Sequence, residues 1–212
     1  MKAHSAARRG SAAVVRPLAF QSDRALVEAV RRGEPEACAV LFDRFAPHVR
    51  RVLARLLGVD DELGDALHDV FVQVLGSIDR LADPGALKAW VTTVAVYTAR
   101  GRIRRRARRR WLRLRPPGEL PEPEAIEASY EVTEALRATY RVLDRLPVDE
   151  RIVFALRFIE GMSLPEVAHA CGVSLATTKR RLRRARAGFV QRARREPALE
   201  RWLRASPRWS EP

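Results

Sequence analysis

The most informative part of this chain is the segment from Ser163 to Arg186, SLPEVAHACGVSLATTKRRLRRAR. Ser163 can cap a first short helix, and Glu166, three residues later, can complete a capping box. Gly172 suits the residue at which the chain leaves that helix, and Ser174 can cap the next one. The second helix has an apolar stripe at spacings of three and four, formed by Leu175, Thr178 and Leu182. The pattern therefore predicts a helix-turn-helix.

The second helix of this motif also presents a cationic face that no acidic residue interrupts. Its polar members are Thr177, Lys179, Arg180, Arg181, Arg183, Arg184 and Arg186. Arg and Lys neutralise phosphates and donate hydrogen bonds to guanine edges, as a recognition helix in a major groove requires. We therefore predict that duplex DNA is bound by Ser174, Thr177, Thr178, Lys179, Arg180, Arg181, Arg183 and Arg184. The alternative is an exposed basic helix on an ordinary helical core.

The composition points to a polyanionic partner. The 212 residues contain 40 Lys and Arg against 26 Asp and Glu, which gives a formal charge of +14. Hydrophobic residues make up 47% of the chain, so one or two packed domains are expected. Apolar runs such as residues 91–96 are far too short to span a bilayer. The sequence thus predicts a cytoplasmic protein that does not enter a membrane.

The first 21 residues are predicted to form a disordered basic tail. Arg8 and Arg9 precede a small apolar run, as in a twin-arginine export signal, but Arg16 and Pro17 cut that run too short for export. Elsewhere, the two cysteines lie far apart, and the four histidines, His4, His48, His68 and His169, do not cluster. We expect no disulfide, no metal site and no cofactor.

The remaining pattern is helical throughout, and nothing indicates a strand. A first helical domain is expected over residues 22–110, with breaks at Pro35 and Pro47 between amphipathic segments. Its clearest apolar stripe, predicted to face the core, consists of Leu63, Leu67, Val70, Phe71, Val74 and Leu75. Trp90, on the helix that follows, is also expected in the core. The fold class predicted is all-α.

A charge reversal separates this domain from the helix-turn-helix. Residues 100–115 are rich in arginine, whereas residues 116–134 contain six glutamates, four prolines and no cation. Residues 111–133 are therefore assigned to an acidic linker, extended at least over 116–125, whose glutamates are expected to shield the basic DNA surfaces. The second domain then covers residues 134–195, and residues 196–212 form a C-terminal tail.

Three segments together resemble bacterial RNA polymerase sigma factors of the short, extracytoplasmic-function type. The segment LDRLPVDERIVFALRFIEGMSLPEVAHACGVSLATTKRRLRRAR is similar to the family's fourth region, which reads the minus-thirty-five promoter element. The segment from Asp65 to Phe71 is similar to the second-region stretch that docks on polymerase. LKAW at residues 87–90, followed by an arginine run, resembles the helix that opens and reads the minus-ten element.

The resemblance assigns two further sets of residues. Polymerase docking is implied for Asp65, His68, Asp69 and Gln73. Downstream DNA binding is implied for Lys88, Trp90, Tyr97, Arg100, Arg102, Arg104 and Arg105. The chain departs from the family pattern at His68, where Gln is usual, and at Tyr97 and Gly101, where Asn and Asp are usual. An aromatic ring beside arginines suits single-stranded DNA, because bases stack on rings and cations follow the backbone.

The function expected is that of a sigma factor, which directs polymerase to promoters and helps to open the DNA. Its partners would be core RNA polymerase, promoter DNA and an anti-sigma factor, and the free protein would be a monomer. No catalytic residues are expected, because the sequence holds no phosphate loop or nucleophile elbow and polymerase supplies the chemistry. The alternatives are an autonomous helix-turn-helix regulator and a basic RNA-binding protein.

Overall fold

The computed structural model describes residue 20 and residues 22–58, 62–111 and 130–205, with no strand among them. The prediction of an all-α chain with two helical domains is confirmed. The predicted N-terminal tail up to residue 19, the extended linker over 116–125 and the end of the C-terminal tail lie outside the described residues. The glutamates of this linker segment, which we expected to shield the basic surfaces, therefore also lie outside the described residues.

The first domain packs its long helices around one another. They are α1 (Asp23–Arg31), α2 (Pro35–Leu57), α3 (Leu63–Ser77) and α4 (Leu87–Trp111). Short 3-10 turns at Ile78–Arg80 and Pro84–Ala86 carry the chain from α3 to α4. Helix α4 contacts both α2 and α3, and the fully buried Leu41, Val49 and Leu87 lie in this core. Exposed helix faces on α3 and α4 are thereby held side by side.

The break expected at Pro47 is absent, because Pro47 lies inside α2. A proline within a helix removes one backbone hydrogen bond and usually costs about 3 kcal/mol. Here its ring lies on the exposed side, while the buried stripe continues in phase on either side of it through Leu41, Phe45, Val49 and Val52. Burial of this continuous stripe outweighs the local cost of the proline.

The apolar stripe predicted for α3 is narrower than expected. Val70 and Val74 are fully buried, Phe71 is nearly so and Leu67 is partly buried against the core. Leu75, however, is 40% exposed. Within the described part of the chain, α3 packs mainly on α2 and α4, and the residue at the margin of its stripe remains exposed. Leu75 is therefore corrected from core to surface.

The second domain contains shorter helices around Phe154 and Phe189, whose rings stack at 4.5 Å between centroids. Its helices are α5 (Tyr130–Leu143), α6 (Val148–Phe154), α7 (Leu164–Cys171), α8 (Leu175–Ala193) and α9 (Pro197–Ala205). A π-helical turn at Ala155–Ile159 extends α6. Helix α9, which lies in the range assigned to a tail, packs on α5 and α8 and buries Leu199.

The second domain caps the C-terminus of α2. The last carbonyls of a helix have no partner within it and must be satisfied by other groups. Tyr140 of α5 donates its hydroxyl to the carbonyl of Ala54 at 3.0 Å. Arg151 of α6, only 2% exposed, donates to the carbonyl of Leu56 at 2.8 Å. Burial, opposed by Asp144, lowers the pKa of this guanidinium, which nonetheless stays charged at neutral pH.

Further contacts join the two domains along one side of the molecule. Helix α7 packs on α4, and the π-helical turn packs on α2. Glu160, just after that turn, accepts a hydrogen bond from Arg51 of α2 at 2.9 Å and lies 4.0 Å from Arg55. The buried side chains of both domains consequently form one continuous core.

Candidate nucleic-acid interface

The helix-turn-helix is built by the local interactions that its sequence predicts. Ser163 accepts a hydrogen bond from the backbone of Glu166 at 3.4 Å, and Glu166 accepts one from the backbone of Ser163 at 2.8 Å. The hydrogen bonds from Ser163 lower the pKa of Glu166. Gly172 ends α7 with a φ of 65°, a left-handed conformation that favours glycine. Ser174 caps α8 by accepting from the backbone of Thr177 at 3.2 Å.

Helix α8 presents most of its predicted DNA-binding residues to solvent. The exposed members are Ser174, Lys179, Arg180, Arg183 and Arg184, and Thr177 is partly exposed. The opposite side of the helix is fixed in the core by Ala185, Phe189 and Ala193. The exposed face is thus cationic, free of acidic residues and held by a packed helix.

The structure corrects two predictions for α8, the contact of Thr178 with DNA and the burial of Leu175. Thr178 is fully buried and donates its hydroxyl to the carbonyl of Ser174 at 3.1 Å, so it cannot contact DNA in this structure. Its short side chain satisfies itself within the helix, which lets it face the core. Leu175, predicted to face the core, is 41% exposed at the first position of α8.

Asp149 of α6 contacts one arginine from each predicted DNA-binding set. Its carboxylate lies 3.0 Å from the Arg181 guanidinium of α8 and 3.2 Å from Nε of Arg100 of α4. The second contact lacks hydrogen-bond alignment and is therefore electrostatic. Arg100 also donates to the carbonyl of Cys171 at 3.3 Å. Burial raises the pKa of the Cys171 thiol to about 11, so it is protonated at neutral pH.

Helix α4 carries the downstream set along a helix that contains no acidic residue. Lys88, Tyr97, Arg104 and Arg105 are exposed, and the Tyr97 ring is 68% exposed. Trp90 is only partly buried and packs against the edge of the core. The exposed members therefore place an aromatic ring and several cations on one helix.

Arg102 is corrected from a DNA contact to a residue that joins α3 to α4. Its side chain is 11% exposed and donates to the carboxylate of Asp69. Glu62 lies 3.8 Å from Arg102 and accepts from Arg106 at 3.0 Å. Although burial opposes the change, the hydrogen bond from Arg106 and the surrounding arginine charges lower the pKa of Glu62. Asp69 of α3 and Glu62, just before that helix, thus satisfy this part of the arginine run, because α3 and α4 pack together.

The docking set on α3 is divided by the same packing. Asp65 and His68 are exposed, whereas Asp69 holds Arg102. Gln73 donates to the hydroxyl of Thr98 on α4 at 3.1 Å. These two hydrogen bonds tie Asp69 and Gln73 to side chains of α4.

An exposed apolar patch beside Asp65 and His68 was missed by the sequence analysis. It consists of Phe42, Val72 and Leu75, which are 43%, 56% and 40% exposed. The signal was present in the spacing, since residues 65, 68, 72 and 75 recur every three or four positions and share one helix face. Exposed apolar groups rimmed by polar ones are typical of protein-binding surfaces.

None of the helices in the described ranges combines the length and apolar character that crossing a membrane requires. In the same residues, no three His, Cys, Asp or Glu side chains lie together in a way that would hold a metal ion.

Comparison with family models matches residues 41–109 to sigma-70 region 2 and residues 136–187 to sigma-70 region 4. The two matches together span more than half of the chain and coincide with the α2–α4 surface and the helix-turn-helix. The chain belongs to the sigma-70 family. Two curated relatives are ECF RNA polymerase sigma-E factors, so this sigma factor is of the extracytoplasmic-function type. Neither the autonomous regulator nor the RNA-binding protein is favoured.

The relatives cover most of the sigma factor. The sigma-E factor of Haemophilus influenzae is 26% identical over 180 residues, which are 78% of this chain and 92% of the relative. That of Escherichia coli K12 is 25% identical over 183 residues, with 78% and 91% covered.

Two solved structures share the fold. CnrH, solved with the cytosolic domain of CnrY, gives a TM-score of 0.52 at 26% identity over 79% of this chain and 94% of that one. The sigma factor RpoE of Bartonella quintana, solved with the anti-sigma factor NepR, gives 0.56 at 22% identity over 74% and 96%.

Proposed function

We propose that this sigma factor directs core RNA polymerase to its promoters by holding two DNA elements with two helices and docking through a third. The observation that carries the proposal is the exposed, acid-free cationic face of α8, a helix fixed by its Ser174 cap and its buried stripe. A second cationic surface, on α4, binds a downstream promoter element in the same way. Two weak contacts with one DNA molecule together give a selectivity that neither contact gives alone.

The upstream grip consists of the exposed residues of α8. Lys179, Arg180, Arg183 and Arg184 follow the first turn of the helix, and the exposed Ser174 caps it. Recognition helices contact base edges through residues near their N-termini, while other cations bind phosphates. Arg180 and Arg184, at a spacing of four, are suited to reach the same groove.

The downstream grip uses Tyr97 with Lys88, Arg104 and Arg105 of α4. Opening a duplex costs a few kcal/mol for each unstacked step. Stacking of an unpaired base on an exposed ring, with phosphates bound by arginines, offsets part of this cost. The proposed role of α4 is therefore to stabilise the separated strand after polymerase has loaded the DNA.

Polymerase docking is proposed for the surface formed by Asp65, His68 and the apolar side chains of Phe42, Val72 and Leu75. Apolar area supplies most of the affinity of such a surface, and rim charges set its orientation. Asp69 and Gln73 support this surface indirectly, because they tie α3 to α4.

This proposed role also implies where the protein works and which partners it has. The protein has no catalysis of its own and works in the cytoplasm, where polymerase and DNA are found. The free subunit is a monomer. An anti-sigma factor is an expected partner, since the Bartonella quintana sigma factor was solved with one.

Footprinting with reconstituted holoenzyme tests the upstream grip. Arg180→Ala and Arg184→Ala should each weaken upstream protection by about tenfold, because a base-reading arginine contributes about 1 to 3 kcal/mol. Arg194→Ala is the matched control, since it removes the same charge from the exposed end of the same helix. If upstream protection is unchanged with both substitutions, residues other than Arg180 and Arg184 contact the upstream element.

A further inference from the structure

Leu175 is an apolar side chain that is exposed in the first turn of α8. It is the first residue of that helix and is 41% exposed. A single exposed leucine is common on protein surfaces and by itself indicates no binding site. This leucine is informative because of its position, since helix-turn-helix proteins contact base edges with the N-terminal residues of the second helix. Leu175 thus lies where base contacts are expected.

The serine that precedes Leu175 uses its hydroxyl for the helix cap. Ser174 Oγ accepts a hydrogen bond from the backbone of Thr177 at 3.2 Å and donates one to the Thr177 hydroxyl at 3.0 Å. Thr178 is fully buried. The fully apolar side chains of Leu175 and Ala176 are both exposed. The first turn of α8 therefore offers a base pair mainly apolar contact.

Cations lie beside Leu175 on the surface of α8. Lys179 is exposed four residues later, about 6 Å along the axis, so it lies on the same side of the helix. Arg180 and Arg183 are exposed on the adjoining face. Helix α8 contains no acidic residue that would repel phosphates from these cations. Leu175 therefore borders the face that is proposed to bind duplex DNA.

One group in the major groove of DNA suits a leucine side chain. The C5-methyl of thymine is the largest apolar group on the edges of the base pairs, which otherwise present hydrogen-bond donors and acceptors. Contact between a leucine and this methyl removes apolar surface of both groups from water, which is favourable. Against the polar edge of another base, the leucine would cover donors or acceptors without pairing them. An apolar side chain at this point consequently favours thymine.

We propose that Leu175 determines specificity by selecting thymine at one position of the upstream promoter element through contact with its C5-methyl group. This inference rests on the proposed function, because α8 must first lie in the major groove. The arginines of α8 do not supply this selection, since arginine donates hydrogen bonds to guanine.

The test begins with selection by holoenzyme from duplex DNA whose upstream element is randomised. The unsubstituted subunit should enrich thymine at a defined position. Leu175→Gln keeps the length of the side chain but removes its apolar end, so that enrichment should disappear, whereas Leu175→Met should retain it. Val132→Ala is the matched control, because it shortens an apolar side chain that is 42% exposed on α5 of the same domain.

Removal of the methyl group alone then identifies the contact. Replacing the selected thymine by uracil keeps the base pair and should weaken upstream binding about fourfold, which corresponds to one buried methyl group. Holoenzyme with Leu175→Gln should bind the thymine and uracil duplexes equally. Arg180→Ala should weaken binding to both duplexes and keep the fourfold difference, because arginine contacts a different group. Thermal unfolding shows whether each variant remains folded.

Several results would overturn the inference and leave the sigma function intact. One is a selected sequence without thymine, or a thymine preference that persists with Leu175→Gln. Another is a loss of affinity with Leu175→Gln that is the same for every sequence, which would indicate contact with the sugar-phosphate backbone. Equal effects of Leu175→Gln and Val132→Ala would do so too. If the unsubstituted holoenzyme selects no upstream sequence at all, the proposed upstream contact fails, and this inference fails with it.

Discussion

Protonation of His48 would affect the contact between the two domains. Thr92 donates its hydroxyl to the carbonyl of Lys88, so it accepts from Nε2 of His48, 2.8 Å away. Nδ1 of His48 then accepts from Arg51 at 3.1 Å. Arg51 also donates to Glu160 of the second domain. A proton on Nδ1 would oppose the Arg51 donor and disturb this chain of bonds.

Burial, together with the charges of Lys88 and Arg51, lowers the pKa of His48 below its ordinary value of 6.5. The unfolded chain therefore takes up the proton more readily than the folded one. The stability that neutral His48 contributes is fully present above pH 6.5 and is lost as the pH falls through the folded pKa.

We accordingly predict that His48→Gln makes stability less dependent on pH between about pH 7 and about pH 5. Urea unfolding followed by circular dichroism measures the effect. His169→Gln, at an exposed position of α7, is the control and should retain the dependence of the unsubstituted protein. An unchanged pH dependence in His48→Gln would show that His48 is not responsible.

At the scale of elements, the C-terminus of α2 is held by a buried arginine. Arg151→Met removes the donor that satisfies the Leu56 carbonyl and leaves Asp144 without this partner. We expect a loss of about 3 kcal/mol, because unpaired buried polar groups are costly. Arg145→Met removes a 54% exposed side chain from its ion pair with Glu196 and should cost about 1 kcal/mol or less. Urea titrations of both proteins give the comparison, and equal losses would contradict the capping role.

Local chemistry explains which elements the sequence predicts. Ser163, Glu166, Gly172 and Ser174 define α7 and the start of α8 through interactions within a few residues, so their pattern is readable. The continuation of α2 through Pro47 depends instead on burial by other helices. Propensity alone therefore placed a break where the tertiary structure has none.

The same distinction, between local interactions and packing between helices, applies to the candidate DNA-binding residues. The exposed cations of α8 follow from helical spacing, which the sequence contains. Engagement of Arg102 by Asp69 and of Arg181 by Asp149 depends on which helices lie side by side. No spacing rule within one helix reveals such pairs. Thr178 is a mixed case, because its position between Leu175 and Leu182 in the stripe indicates the core, whereas its polar side chain suggested a contact with DNA.

In the molecule as a whole, Asp149 joins the two helices for which DNA binding is proposed, α4 and α8. The carboxylate neutralises Arg100 of one region and Arg181 of the other while the domains are packed together. Phosphates that bind these arginines must replace it. The free subunit should therefore bind DNA more weakly than its net charge suggests.

We predict that Asp149→Asn raises the affinity of the free subunit for duplex DNA, most strongly at low salt, where screening is weakest. Glu150→Gln removes the same charge from the neighbouring position and is the control. Fluorescence anisotropy with a labelled promoter fragment measures both, and thermal unfolding shows whether each protein remains folded. Equal effects of the two substitutions would reduce the role of Asp149 to its contribution to net charge.

If this chain gives core RNA polymerase its choice of promoter, transcription should start at defined sites only when the chain is bound. Transcription in vitro by purified core polymerase on genomic DNA fragments, with and without the subunit, measures this. We expect transcripts with discrete 5′ ends only when the subunit is present. Loss of those transcripts is expected when Arg180 and Arg184 are both replaced by Ala. Binding of the protein to duplex DNA without any subunit-dependent transcript would contradict the account.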